Sequence, residues 1–359
     1  MTENPRSSSP IPCLFPLDEF GGRPVAPAGI SFRLWLDEAG LDMEGVRMNP
    51  FLPVLCFGPS PALQRGLRFA NWDEPGDVVR TREVDWSVGG KATNAARAVL
   101  RGGGEATLLG PAGGANGERM KCLLGEEGIE GIWVEVQAET RMCQTLQTLE
   151  GRRIRELVED AGALEPTEWK ALFKEVERLL PHHSGLLLCG SLPVDAPDDV
   201  FAILVDLAKT AGRKVVMDVK GPPLRMALDN GPDLVKINRD ELQETTNTPE
   251  IRQGMTALMR MGAGAVLITD GPRQACLAEG TRMWRYKLPA IEAVNPIGGG
   301  DTVTGMTALS WLNGMPLDQA SRLGLGAGTA QTLHPRPAEF TLPEARQYAE
   351  CIRVEAVRI

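Results

Sequence analysis

The residues with the most chemical potential stand in VNPIGGGDTVTGMTALSWLNG (294–314). A strand end runs into Gly298, Gly299 and Gly300, then Asp301, then an amphipathic helix. Glycines let the backbone turn sharply and aim successive N–H groups at one point. The helix N-terminus adds partial positive charge, so the stretch reads as an anion cradle. A carboxylate beside a bound phosphate repels it unless it has a task, and accepting the proton of an attacking hydroxyl is such a task. An Asp that merely caps a helix after a glycine loop accounts for the same residues.

Two more stretches have chemistry in their spacing. In WSVGGKATNAARAV (86–99), Gly89 and Gly90 precede a helix that begins near Thr93-Asn94. The glycines permit close approach of a ligand, Lys91 and Arg97 are cations near that helix start, and Asn94 both donates to and accepts from sugar hydroxyls. A plain turn with surface basic residues is the alternative. In KINRDEL (236–242), Lys236, Asn238 and Glu241 project from a strand end and a first helical turn. Asn238 and Glu241 suit the hydration shell of Mg²⁺, which keeps most of its waters in phosphate sites. A capping box, Asn at the N-cap and Glu at N3, explains that spacing equally well. The chain has neither GxxxxGK[ST] nor GxGxxG, so P-loop and dinucleotide-binding readings have no motif behind them.

The elements that must position these residues alternate along the chain. PVLCF, ATLLG, SGLLLCG, KVVMDV, DLVKIN and GAGAVLITDG are short apolar runs separated by helical stretches such as EWKALFKEVERLL and DDVFAILVDLAKTAG. That is the pattern of an α/β protein with a doubly wound, mostly parallel sheet flanked by helices. Two regions, about 65–88 and 133–158, instead alternate apolar with polar residues, with a break at Pro75-Gly76 in one and a Glu150-Gly151 hairpin turn in the other. They predict a small, protruding β-sheet. Residues 1–50, with SSSP, FGGRP and APAG, read as a partly disordered extension; ISFRLWLDEAGL within it suits a strand or a short helix. The main domain is expected over 51–359.

Composition narrows the partners. The formal net charge is −9, which argues against nucleic acid or an anionic membrane as the main partner. Seven scattered cysteines without a CxxC pair suit reduced thiols and give no zinc signature, and three histidines leave little room for a His-centred site. MTENPRSSSP lacks a basic-then-apolar signal pattern, and no apolar run reaches membrane-spanning length, so the cytoplasm is the expected location.

Taken in order, the motifs resemble the PfkB (ribokinase-like) family of carbohydrate kinases. GGKATNAAR is similar to that family's N-terminal signature and NPIGGGDTVTG to its C-terminal one, with LLLCGSLP, VVMDV, KINRDEL and LITDGP at the expected places between them. The resemblance is closest to the branch acting on phosphorylated hexoses, with 1-phosphofructokinase and tagatose-6-phosphate kinase. It implies a ribokinase-like fold with a β-sheet lid, often paired between subunits as a homodimer. It also implies ATP and Mg²⁺, with K⁺ as a further candidate ion. Asp301 is then the general base, and Gly298, Gly299 and Gly300 form the anion hole. Asn238 and Glu241 match the element that holds Mg²⁺ through water. Lys236, Asn238, Thr269 and Gly271 match nucleotide-side positions, and Gly326, Ala327 and Ala330 lie in the helix that lines the adenine pocket. Gly89, Gly90, Lys91 and Asn94 face the sugar phosphate, Arg141 binds its phosphate with Arg155 as a second cation, and Ser191 lies near the centre.

Departures fall mostly on the sugar side. Ser60 and Gln64 stand where the family has Asn and Asp, Ala92 and Gln274 where it has Gly, and Cys143 where it has Asn. The expected reaction is transfer of the γ-phosphoryl of Mg-ATP to a hydroxyl of a fructose 1-phosphate-like acceptor, with Gln64 among the residues that read the sugar. A kinase of an unphosphorylated sugar or nucleoside and a non-catalytic sugar-phosphate sensor are the alternatives.

Overall fold

The computed structural model describes residues 52–70, 78–81, 83–148 and 153–358. The extension over 1–50, the Pro75-Gly76 break and the Glu150-Gly151 turn lie outside the described residues.

The chain enters through β1 (Val54–Phe57), then makes β2 (Ala62–Phe69) and β3 (Glu83–Gly89) before α1 (Lys91–Arg101) and β4 (Ala106–Ala112). Next come α2 (Gly114–Glu126), β5 (Glu130–Glu135), β6 (Met142–Thr148), β7 (Ile154–Val158) and α3 (Pro166–Leu179). The apolar runs of the second half become β8 (Gly185–Cys189), β9 (Lys214–Asp218), β10 (Leu234–Asn238) and β11 (Ala265–Asp270). Between them stand α4 (Val200–Thr210), α5 (Gly221–Leu228), α6 (Arg239–Thr246) and α7 (Ile251–Arg260). The chain closes with β12 (Gln274–Glu279), β13 (Arg282–Lys287), α8 (Gly299–Leu312), α9 (Leu317–Gln331), α10 (Leu342–Cys351) and β14 (Arg353–Arg358).

Ten strands form the main sheet, in the order β14-β13-β12-β11-β10-β9-β8-β1-β4-β5. From β5 to β11 every pairing is parallel; β12, β13 and β14 continue it antiparallel. The parallel strands are apolar on both sides because helices cover both. Leu55, Phe57, Leu186, Leu188, Met217 and Ile268 pack in one buried cluster with Trp169, Phe201 and Leu204 of the covering helices. On the other side α8 is buried along Thr302–Ser310, so the expected amphipathic stripe is instead a helix packed on nearly all sides. The strand order reverses beside β1, with β4 and β5 to one side and β8 to β11 to the other. In open α/β sheets ligands bind at the carboxyl ends of strands at such a reversal.

A separate four-stranded sheet has the order β3-β2-β6-β7. This is the expected lid, with one correction to its span. Trp133–Glu135 belong to β5 at the edge of the main sheet, paired parallel with β4; their alternation reflects an edge strand with one open face. Lid strands run from Ala62 and from Met142. Among the described residues no helix is long and apolar enough to cross a membrane.

Candidate active site

Asp301 stands in the first turn of α8, whose N-cap Gly298 has φ 81°. A side chain there would be strained, and its Cβ would meet Pro337 Cβ at 2.7 Å. First-turn N–H groups have no helical carbonyl to bond, so those of Gly300 and Asp301 face outward as donors. Lys236 adds to them: a Cβ on Gly300 would lie 2.9 Å from its Nζ. The cradle therefore combines helix end and ammonium. Behind it α9 approaches closely, since a Cβ on Gly328 would lie 3.0 Å from the Gly299 carbonyl oxygen.

The close crossing of α1 and α8 brings Asp301 its partner. A Cβ on Gly305 would meet Ala98 Cβ at 2.9 Å, and at this separation Asn94 Nδ2 donates to Asp301 Oδ2 at 2.8 Å. Arg97 Nη1 donates to Asn94 Oδ1 at 3.1 Å, which orients the amide with its N–H groups toward Asp301. The helix carrying Asn94 begins at Lys91, two residues earlier than expected, with Gly90 as N-cap at φ 113°.

Asp218, at the carboxyl end of β9, is the site residue that sequence reasoning missed. It is fully buried. Its Oδ1 accepts from Lys91 Nζ at 2.8 Å, and its Oδ2 from Lys236 Nζ at 2.8 Å and Thr304 Oγ1 at 2.7 Å. Burial by itself raises its pKa, but the ammonium groups of Lys236 and Lys91 outweigh that and hold the carboxyl well below the ordinary carboxylate range. Lys91 is kept charged in the same way: burial opposes its charge, and Asp218, Glu241 and Asp301 together more than restore it. Asp301 goes in the opposite direction. Burial and then the charge of Asp218 raise its pKa, against the pull of Lys91, Asn94 and Lys236. Two carboxylates in one cluster thus differ in proton affinity, as an acid–base site requires.

Asn238 and Glu241 realise the capping box: Asn238 Oδ1 accepts from Glu241 N at 2.9 Å and Glu241 Oε2 from Asn238 N at 3.0 Å. The remaining oxygen of Glu241, Oε1, lies 3.3 Å from Lys91 Nζ. Capping and site-facing readings therefore hold together. Among the described residues no group of three or more His, Cys, Asp or Glu could hold a metal ion alone. Mg²⁺ that keeps its waters needs only such a carboxylate edge, so Glu241 and Asn238 fit it through water.

The other expected positions distribute as follows. Thr269, the last but one residue of β11, stands beside Asn238, and Gly271 just past the strand has φ 56°. Ala327 and Ala330 are fully buried in α9, and a Cβ on Gly326 would collide with the backbone of Ala345 and Ala349, so this glycine serves the contact with α10. On the sugar side, Gln64 Nε2 donates to Thr145 Oγ1 at 2.5 Å and its Oε1 lies against Gly89, where a Cβ would be 2.7 Å away. Ser60 Oγ donates to the Ser191 carbonyl at 2.7 Å. Arg141 Nη1 and Nη2 donate to the Glu159 and Ser60 carbonyls at 2.9 and 2.8 Å, and its buried Nε has no partner. Arg155 needs correction. It pairs with Leu146, on the face of the lid opposite to the one carrying Gln64 and Thr145, because successive strand residues alternate. It is not a second phosphate ligand in this arrangement.

A mostly parallel sheet with a glycine loop leading into Asp301, beside a separate four-stranded sheet, is the arrangement of ribokinase-like sugar kinases. The chain belongs to the PfkB family of carbohydrate kinases, whose family description, pfkB family carbohydrate kinase, matches residues 65–345. It is 30% identical over 255 residues to the ATP-dependent 6-phosphofructokinase isozyme 2 of Escherichia coli, covering 68% of this chain and 82% of that protein. The crystal structure of E. coli phosphofructokinase-2 in complex with potassium superposes with TM-score 0.78 at 26% identity, over 84% of this chain and 99% of that one. Arabidopsis thaliana ribokinase, 17% identical, shares the fold with TM-score 0.66 over 84% of this chain and 99% of its own.

Proposed function

We infer that the protein transfers the γ-phosphoryl group of ATP to a hydroxyl of a phosphorylated hexose, fructose 1-phosphate-like, with Asp301 as general base. The observation that carries this reading is Asp301 itself: a carboxylate of raised pKa beside an anion cradle, held at one oxygen by Asn94. Its free oxygen takes the proton of the acceptor hydroxyl as that oxygen attacks in line. The N–H groups of the Gly298–Asp301 turn and Lys236 bind the phosphoryl oxygens where charge develops. Glu241 and Asn238 would hold Mg²⁺ through water, and the ion would neutralise charge on the phosphates. Closure of the lid excludes water, so ATP is kept from hydrolysis. The nucleotide side comprises Thr269, Gly271 and α9; K⁺ is a further candidate, from the potassium complex of the E. coli relative.

Arg141 supports a phosphorylated acceptor, since its Nε has no partner and a guanidinium fork matches phosphate oxygens. An unphosphorylated acceptor is the second reading, favoured by Lys91 being locked between carboxylates and Arg155 facing away. ADP release with Mg-ATP, measured on fructose, ribose, fructose 1-phosphate and fructose 6-phosphate, separates the two. A rate on none of them above ATP hydrolysis alone would leave the sensor reading. The lid also leaves Val84 and Leu157 exposed on its outer face, which suits pairing with a second lid in a homodimer; sedimentation velocity tests it.

A further inference from the structure

Glu156 lies in β7 directly opposite Thr145 of β6. Thr145 accepts from Gln64 of β2, and Gln64 rests against Gly89 at the start of the Gly-Gly-Lys turn. Paired residues of neighbouring strands share a face of the sheet. Gln64, Thr145 and Glu156 therefore share one face of the lid: Gly66 stands directly opposite Thr145, and Gln64 reaches Thr145 diagonally from two residues earlier, on the face that meets Gly89. Loss of surrounding water and then the charge of Asp301 raise the pKa of Glu156, which places the two carboxylates within electrostatic reach. Among the described residues the Glu156 carboxylate has no hydrogen-bond or ion-pair partner, and the residue is exposed. Among the described residues no free cation shares this face: Arg68, on the same face of β2, is paired with Glu83 at 3.0 Å at the far end of the strand.

An unpartnered carboxylate that faces a sugar site has one chemistry available. It accepts hydroxyl hydrogens, and it repels a phosphate. The geometry points to Glu156 as a specificity-determining residue: it receives a hydroxyl of the acceptor beneath the lid and bars an anionic group from that place. The inference rests on the kinase reading above and sharpens it. The amide, hydroxyl and carboxylate of this face read a polyhydroxylated stretch of the acceptor, and any acceptor phosphate must lie off it, toward Ser60 and Arg141.

The test compares wild type, Glu156→Gln and Glu156→Lys with fructose, ribose, fructose 1-phosphate and fructose 6-phosphate as acceptors. In Glu156→Gln the acceptor KM rises about tenfold or more, the loss of one charge-assisted hydrogen bond, while the ATP KM and the melting temperature hold. In Glu156→Lys the ratio of kcat/KM for phosphorylated over unphosphorylated acceptors rises about tenfold or more. An unchanged acceptor KM in the first variant with an unchanged ratio in the second overturns the proposal. Should wild type phosphorylate none of the four, the kinase reading fails by itself. Calorimetric binding of the same sugars then decides on Glu156: weaker binding to Glu156→Gln than to wild type supports it, and equal binding, or equal absence of binding, overturns it.

Discussion

The floor of the cleft and its lid treat charge in opposite ways. In the floor, Asp218 is fully buried and both its oxygens are bound, by two lysines and a threonine from three different elements. In the lid, Glu156 is exposed and its neighbour across the strand is the uncharged Thr145, which accepts from Gln64. A saturated charge cluster has one arrangement and resists change; an open set of polar groups takes its partner from the ligand. On the proposed function the difference would separate two tasks: the floor would set the rate of phosphoryl transfer, and the lid would choose the acceptor. Each substitution below should then fall on one side of that division.

The largest effect is expected at Asp301→Asn, which keeps the shape and the Asn94 contact site but removes the base. Turnover should drop roughly 10²–10⁴-fold with ATP binding retained; near-normal turnover would remove Asp301 from the mechanism. In wild type the active form is the carboxylate, so kcat/KM should fall as pH falls through the Asp301 pKa. Because that pKa is raised, the fall begins above the range of a free aspartate. Asp218→Asn should cost about 3–5 kcal/mol of stability in urea unfolding, the cost of leaving one side of a buried ion pair uncompensated. A change within about 0.5 kcal/mol, typical of a surface position, would mean that the floor is not held by this cluster.

Arg141→Ala sharpens the division, because Arg141 ties the exit of β1 to the lid through the Ser60 and Glu159 carbonyls. Loss of a phosphate contact should raise KM for fructose 1-phosphate roughly 10–100-fold and leave fructose and ATP near wild type. An equal rise for both sugars would make it a structural tie only. The smallest effect is expected at Gln64→Asp, which shortens the side chain away from Thr145. The ranking of acceptors should change while the ATP constant holds. An identical ranking would place specificity elsewhere in the lid.

Much of the floor was legible because its motifs are local. Three glycines before Asp301, two before Lys91 and an Asn three residues before Glu241 each sit at a helix start, where backbone geometry ties residue type to role. Asp218 was not legible. It ends an ordinary apolar strand, and its partners Lys236, Thr304 and Lys91 lie 18, 86 and 127 positions away. The lid was visible as alternation, yet alternation does not say which face looks inward. Arg155 and Glu156 are chain neighbours on opposite faces, and only their register against Leu146 and Thr145 tells which of them shares the face of Gln64. The same ambiguity assigned Trp133–Glu135 to the lid, since an edge strand of the main sheet alternates as a lid strand does.

The bond between Asn94 and Asp301 spans 207 positions of the chain, and this governs when activity can appear during synthesis. At roughly 5–20 residues per second, about 10–40 s separate the emergence of one partner from that of the other. During that interval the last two lid strands emerge after the Gly89–Gly90 turn, while Asp301 and the helix behind its glycine loop are still to come. A chain arrested before α9 therefore lacks the backing of its anion cradle. On the proposed mechanism, phosphoryl transfer would therefore wait for Asp301 and α9, which come late in synthesis.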